Sequence, residues 1–438
     1  MRSLSARRLI LSLVTAVLLS CVVTPTIDAA ATATPATIRV MVAQEVARVE
    51  VQCEGALTVM TLEGQRVTLP APAVLSVTAR GVALNASTVV SERLTVVGAT
   101  GRLTVLAIQG PGGSLKAMPG GGVTIVGGTS PVARWPLKGA LQVYQRGRGL
   151  LVVNDLNVED YVMGVVPAEV NAGWHPELLK AQAVAARTYA LYQRTQNPGR
   201  EFDVVASTQD QVYQGTRGVD EPVMRAVDGT RGLVLSHQGR PIYAAFSSTA
   251  AGPTEDAMNV WSKDLPYLRG VQCPFDTNSP YYRWRVSVPL EKVERSLRQL
   301  GVPVGTIASV TPFAFSRAGR VTRVRLLHSE GELVLRGEDL RKVVGYSALP
   351  STRFEIESIA NEVVFSGFGA GHGVGMCQWG AKQLAELGYP FHTILAYYYP
   401  GTELKSVADV DLSPVPPVAP PAAPSGALPL QPAPTPAR

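Results

Sequence analysis

One carboxylate set two residues behind a proline is the residue in this chain whose surroundings point most clearly to chemistry. Residues 158–170 read VEDYVMGVVPAEV. Glu169 follows Val166, Pro167 and Ala168 and precedes Val170, so its neighbours along the chain solvate a charge poorly. Desolvation favours the neutral carboxyl and raises its pKa, which suits a general acid near neutral pH. The ordinary reading competes with this one, because a Glu near a helix start often caps the helix or complements its dipole. Asp160 and Glu177, the nearest other acids in the stretch, read as such capping and dipole residues.

A second concentration of chemistry lies in GFGAGHGVGMCQWG, residues 367–380. Five glycines between 367 and 375 surround His372 and permit close backbone approach to a ligand. His372, in this loop before a helix start, is either a sugar-contacting or helper imidazole or a loop histidine bonded to its own backbone. Cys377 beside His372 offers a nucleophile, against the plainer reading of a small buried thiol. His372 and Cys377 alone are too few for zinc, which takes three or four ligands. The glycine loop lacks GxxxxGK[ST] and is not a phosphate loop. Ser247, Ser248 and Thr249 stand together, but no GxSxG surrounds them. No metal site is expected.

The elements that must position these residues follow from pattern. An apolar run from Tyr161 to Val166 is stopped by Pro167, and a turn at Asn171, Gly173 and Pro176 follows. Residues 176–196 form the clearest helix, with Pro176 in its first turn and an apolar stripe through Leu179, Ala183, Ala186 and Ala190. Gln182 and Arg187 interrupt it and are expected to face solvent. VDEPVMRAVDGT predicts a second helix, 290–301 an amphipathic helix ended by Gly301, 337–345 a short helix and 379–387 another. Residues 38–157 alternate β-type runs with glycine turns. The predicted fold class is α+β: a β-rich N-terminal module over 38–150, then a mixed α/β domain over 151–405.

The 438 residues, 46% of them hydrophobic, are enough for more than one domain. The first thirty residues resemble an export signal: Arg2, Arg7 and Arg8, an apolar run from Leu9 to Val23, then Ala29 to Ala31. A second reading makes Leu18-Leu19-Ser20-Cys21 a lipobox, which would anchor the chain to a membrane through Cys21. Removing 1–30 takes away three arginines and Asp28 and lowers the net charge from +6 to +4. That balance suits an acidic polymer, and the dispersed arginines lack the clustered stripe of a nucleic-acid binder. Cys21, Cys53, Cys273 and Cys377 make no disulfide framework, although one bridge can be drawn. Residues 412–438 are a Pro-rich tail, expected to be disordered or polyproline-like.

Taken together, VEDYVMGVVPAEV…HPELLKAQAVAARTYAL and GHGVGMCQWGAKQLAELGYPFHTILAYYYPGTEL resemble the stage II sporulation protein D / LytB family. STQDQVYQG (207–215), AAFSSTAAGPTEDAMNVW (244–261) and LPYLRGVQ (265–272) add to the match. The resemblance implies a SpoIID-type catalytic domain and an exported enzyme of the periplasm or cell envelope, a peptidoglycan lytic transglycosylase with Glu169 as its catalytic residue. It implies that His372, Gln378, Gly371 and Gly373 line a glycan cleft supported by Arg187 and Tyr213, with no cofactor. Some members are instead amidase enhancers, so a non-catalytic wall-binding partner of an N-acetylmuramoyl-L-alanine amidase is the alternative, and a structural wall-binding module whose Pro-rich tail tethers a partner is a third. Ala370 stands where the family often has Trp, Cys377 where it has Ser, and Ala250-Ala251-Gly252 where it has Ser-Gly-Gly. The stretch DVVASTQDQVY lacks the Cys and His through which some members bind zinc.

Overall fold

A computed structural model of the chain describes residues 36–85, 89–109, 116–117, 123–124 and 135–416. The export signal, the lipobox and most of the Pro-rich tail lie outside them.

The expected β-rich region is one large, mainly antiparallel sheet of eleven strands. Strand Thr37–Val46 pairs with Gly149–Asn157, which pairs with Trp135–Arg146, which in turn pairs with Arg93–Gln109. Alternation sets the faces: Ala56–Thr61 buries every second residue, as a sheet packed on one side requires. The sheet crosses the expected boundary at residue 150, and Val204–Val205 joins its edge in parallel.

Eight helices follow among the described residues: α1 Val158–Glu169, α2 Pro176–Gln196, α3 Glu221–Asp228, α4 Ala257–Trp261, α5 Leu290–Gln299, α6 Gly337–Val344, α7 Gln378–Glu386 and α8 Phe391–Tyr398. One apolar core joins the sheet to α1, α2, α7 and α8, running from Ile38 through Leu179 to Tyr399. A second core gathers Val288, Leu297, Val324, Leu340 and Phe365. It packs α5 and α6 against two three-stranded antiparallel sheets. No helix among the described residues is long and apolar enough to cross a membrane.

Two local expectations are corrected. Helix α1 does not stop at Pro167 but runs through it to Glu169. Proline removes one N–H and crowds the preceding turn. Here it sits in the last turn, where the Val170 N–H still reaches the Val166 carbonyl at 3.0 Å before the chain turns extended. Gln182 and Arg187 do not face solvent: both are fully buried.

Candidate active site around Glu169

Glu169 is delivered by the C-terminal end of α1. Asn157 caps the start of that helix, accepting the Glu159 N–H at 2.8 Å. The buried Arg187 of α2 grips Glu159 in a two-pronged pair, at 2.9 and 2.6 Å. The same guanidinium donates to the Leu233 carbonyl at 3.1 Å. Arg187 therefore braces α1 against α2 about three turns away from Glu169, and its donors are committed within the protein.

The Glu169 side chain is half-buried. Its Oε1 accepts the Val212 N–H at 2.7 Å, and the Gln378 side chain also hydrogen-bonds it. Both bonds favour the carboxylate, but burial outweighs them and lifts the pKa from 4.5 to about 7. The sequence argument from desolvation and the geometry thus arrive at the same titration range.

The groups around the carboxyl are fixed in turn. Val212 lies between Gln211, which accepts the Tyr161 hydroxyl at 2.9 Å, and Tyr213, whose hydroxyl donates to Asn154 at 2.9 Å. The Tyr161 and Tyr213 rings stack at 5.2 Å. Tyr213 is thus a buried brace that presents the Val212 N–H. Gln378 opens α7 and donates to Gln182 of α2 at 3.3 Å. The Nε2 atoms of Gln182 and Gln211 are buried without a partner. Both side chains stand behind the partners of the acid, Gln182 through Gln378 and Gln211 through the adjoining Val212.

Beyond Gln378, Trp379 meets Trp174 edge-on, with ring centres 5.0 Å apart. Lys382 lies over both rings at 5.3 and 5.8 Å. Both tryptophans are partly exposed. Sequence reasoning passed over Gln211, Trp174 and Trp379 and placed Gln182 in solvent. Trp174, five residues past Glu169, and Trp379, next to Gln378, were the available signals.

The glycine loop is placed differently from expectation. His372 does not stand at a helix start: the short strand Met376–Cys377 intervenes before α7 and pairs in parallel with Phe246–Ser247. Its Nδ1 accepts the Val374 N–H at 3.0 Å, and its ring lies on Trp261 at 4.8 Å. Burial, with Arg341 and Arg320 nearby, pushes the imidazole down to about 3, against a hydrogen bond to the Phe246 backbone. His372 is thus a neutral ring tied into its own loop. Gly371 and Gly373 have φ of +94° and +77°. A Cβ on Gly371 would press on Ser247, and one on Gly373 on the Arg320 guanidinium. Their close approaches are to the protein itself. Arg320, from the second core, clamps the loop by donating to the carbonyls of Gly371 and Ala250, both at 3.3 Å.

Asp160, Glu177 and Asp210 are occupied. Asp160 pairs with Lys138 at 2.6 Å. Glu177 pairs with Lys180 and accepts the Phe391 N–H at 2.8 Å, tying α2 to α8. Asp210 raises the Tyr161 pKa together with Glu169, though burial is the larger cause. Its oxygens take the Tyr189 hydroxyl, the Gln193 amide and the Val205 N–H. Cys377 is buried, and burial pushes its thiol up, opposite to what a nucleophile needs. A concavity of about 520 Å³ lies elsewhere, lined by Lys138, Asp160, Met163 and Thr216 among others. It touches none of the Glu169 partners.

Comparison with known proteins bears on the family of the chain. The family model described as stage II sporulation protein (SpoIID) matches residues 146–237, which carry α1, α2 and the loop that holds Val212. A model for a domain of unknown function matches residues 257–375, spanning the second core. An uncharacterized protein of Brachyspira hyodysenteriae is 35% identical over 267 residues, covering 61% of this chain and 71% of that one. Stage II sporulation protein D of Bacillus subtilis is 32% identical over 276 residues, 60% of this chain and 78% of its own length. The amidase enhancer of Bacillus subtilis is 29% identical over 291 residues, 56% of this chain and 40% of its own. With its helix pair, its lone acid and these relatives, the chain belongs to the SpoIID family.

Proposed function

We propose that the protein is an exported lytic transglycosylase of the periplasm or cell envelope that cleaves the β-1,4 bond between N-acetylmuramic acid and N-acetylglucosamine in peptidoglycan. The observation that carries the reading is the titration of Glu169 near 7. A group poised there is present in both protonation states at neutral pH, as one residue acting first as acid and then as base requires. Protonated Glu169 gives its proton to the glycosidic oxygen as the bond to C1 breaks. The resulting carboxylate takes the proton of the muramoyl 6-hydroxyl as that oxygen attacks C1. The product carries a 1,6-anhydro ring, and no water is consumed.

A hydrolase needs a second carboxylate across the bond, and Asp160, Glu177 and Asp210 are each engaged by other groups. The partly exposed Trp174–Trp379 pair suits the apolar face of a sugar. The test is digestion of purified glycan strands by the full chain and by Glu169→Gln, with products read by mass spectrometry. Anhydro-ended fragments from the first and none from the second are expected. Equal release by both would remove Glu169 from the reaction.

The relative named amidase enhancer supports a second reading, a wall-binding partner that stimulates an N-acetylmuramoyl-L-alanine amidase. In that case the chain would bind glycan without shortening it, and amidase turnover would rise when it is added.

A further inference from the structure

We infer that Cys273, Asp276 and Cys377 form a binding site for a thiolate-preferring divalent cation of the zinc class, separate from the glycan site. The sequence concealed it, because the third ligand arrives a hundred residues after the first two and the plausible partner of Cys377 looked to be His372. Folding instead brings one ligand atom from each of the three residues within 4.8 Å of one another, all of them buried.

Asp276 is the decisive residue. It is fully buried. Its Oδ2 accepts the Ala251 N–H at 2.7 Å and stands 3.2 Å from Cys377 Sγ. Its Oδ1 is buried with no partner. Among the described residues no Lys or Arg pairs with Asp276. Buried carboxylates are ordinarily ion-paired or coordinate metals; this one keeps Oδ1 unused while a carboxylate oxygen borders, with the two sulfurs, the space between the three side chains. Gly380 keeps that space open: a Cβ there would run into Tyr398 Oη and Cys273 Sγ and come within 3.5 Å of Cys377 Sγ.

The donor set selects the ion. Two thiolates and one carboxylate suit zinc and disfavour calcium and magnesium, which take oxygen ligands. Zinc–sulfur and zinc–oxygen bonds of about 2.3 and 2.0 Å at a tetrahedral angle put sulfur and oxygen roughly 3.5 Å apart, close to the 3.2 Å between Cys377 Sγ and Asp276. The Tyr398 hydroxyl, 3.2 Å from Cys273 Sγ, borders the cluster and offers an oxygen for the fourth position. A Cys273–Cys377 disulfide would consume both sulfurs and leave the Asp276 oxygen unanswered, so the cation accounts for more of the arrangement.

The site would act through α7. Cys377 caps that helix, its sulfur accepting the Gly380 N–H at 3.4 Å. The next residue is Gln378, which holds Glu169. A cation on Cys377 would fix the start of α7 and hence the amide on the acid, without touching the reacting atoms.

The experiment uses the full chain, reduced, stripped with a chelator and titrated with Co²⁺ alone. One equivalent per chain should produce sulfur-to-cobalt charge-transfer absorption and the visible bands of a four-coordinate site. One equivalent of Zn²⁺ should abolish them and raise the melting temperature. Cys377→Ser and Asp276→Asn should each weaken Co²⁺ binding at least tenfold, whereas Cys53→Ser should not change it. No charge-transfer band from the reduced wild-type chain would overturn the inference, and so would bands that survive Cys377→Ser. A mass two hydrogens short in the protein as isolated, mapped to a Cys273–Cys377 bridge, would overturn it as well. If a variant does not fold, the wild-type cobalt spectrum still decides.

Discussion

Replacing Glu169 by Gln should stabilise the protein while it abolishes turnover, and the stabilisation should depend on pH in a defined direction. The folded carboxyl titrates near 7 instead of at 4.5 because burial outweighs the Val212 and Gln378 hydrogen bonds. Below pH 4.5 the group is protonated in both folded and unfolded chains, and its contribution to stability is fully present. Between 4.5 and 7 the unfolded chain ionises first and the folded state loses ground, and above 7 the whole penalty is in force. That interval corresponds to a ceiling of roughly 3 kcal/mol, and solvent reaching the half-buried side chain reduces it to about 2 kcal/mol. An amide carries no charge to desolvate, and its oxygen can still accept the Val212 N–H. The assay is the unfolding free energy of wild type and Glu169→Gln, from urea titrations at pH 5 and pH 8.5. The variant's advantage should be about 2 kcal/mol larger at pH 8.5, and any pH-independent packing effect cancels in that difference. An equal difference at both pH values would refute the claim that burial controls this carboxyl, and a variant less favoured at pH 8.5 would reverse its sign. Wild-type turnover should in parallel fall about tenfold per pH unit above 7, as the general acid is lost.

The remaining predictions separate bracing from chemistry. Arg187→Met leaves Glu159 buried without its partner and should cost about 3–5 kcal/mol in unfolding free energy; an unchanged unfolding curve would mean the pair does not brace α1. His372→Ala removes the Val374 bond and the Trp261 contact, so it should lower the melting temperature while the folded fraction keeps its specific activity. Because the imidazole sits near 3, wild-type turnover should show no limb near pH 6.5, and an activity loss without a melting change would return His372 to the glycan site. Trp379→Ala should weaken glycan binding by roughly 1 kcal/mol, about fivefold in Kd, and leave melting within a few degrees; equal affinity by calorimetry would remove the tryptophan pair from the cleft.

What the sequence made legible was local. Apolar spacing and an N1 proline predicted Pro176–Gln196 to the residue, and the helices after residues 220, 290, 337 and 378 lie within a few residues of their expected places. Glu169 was legible as a candidate from its apolar flank in the sequence, although the groups that hold it, Val212 and Gln378, come from far along the chain. The misread residues depend on partners far along the chain. Arg187 and Gln182 look like solvent-facing breaks in an apolar helix until Glu159 and Gln378 arrive from 28 and 196 residues away. Pro167 reads as a stop because its effect is usually decided inside a helix and not in its last turn.

The same distinction explains how the fold can vary its active site without moving the acid. Glu169 is held by a main-chain N–H, from Val212, and by a side chain, from Gln378. The first is tied to the large sheet through the Tyr213–Asn154 bond. The second hangs on the start of α7, whose cap is Cys377 and whose approach is the loop clamped by Arg320. Burial comes from the shared core and sets the pKa near 7, so substitutions in the loop or the second core should act on Gln378 before they reach the charge. Changes there that loosen the Gln378 bond are therefore expected to disorient the acid and also to raise its titration, because that bond favours the carboxylate. Changes at Tyr213 or Asn154, which hold the Val212 donor that opposes burial, should likewise move the titration upward.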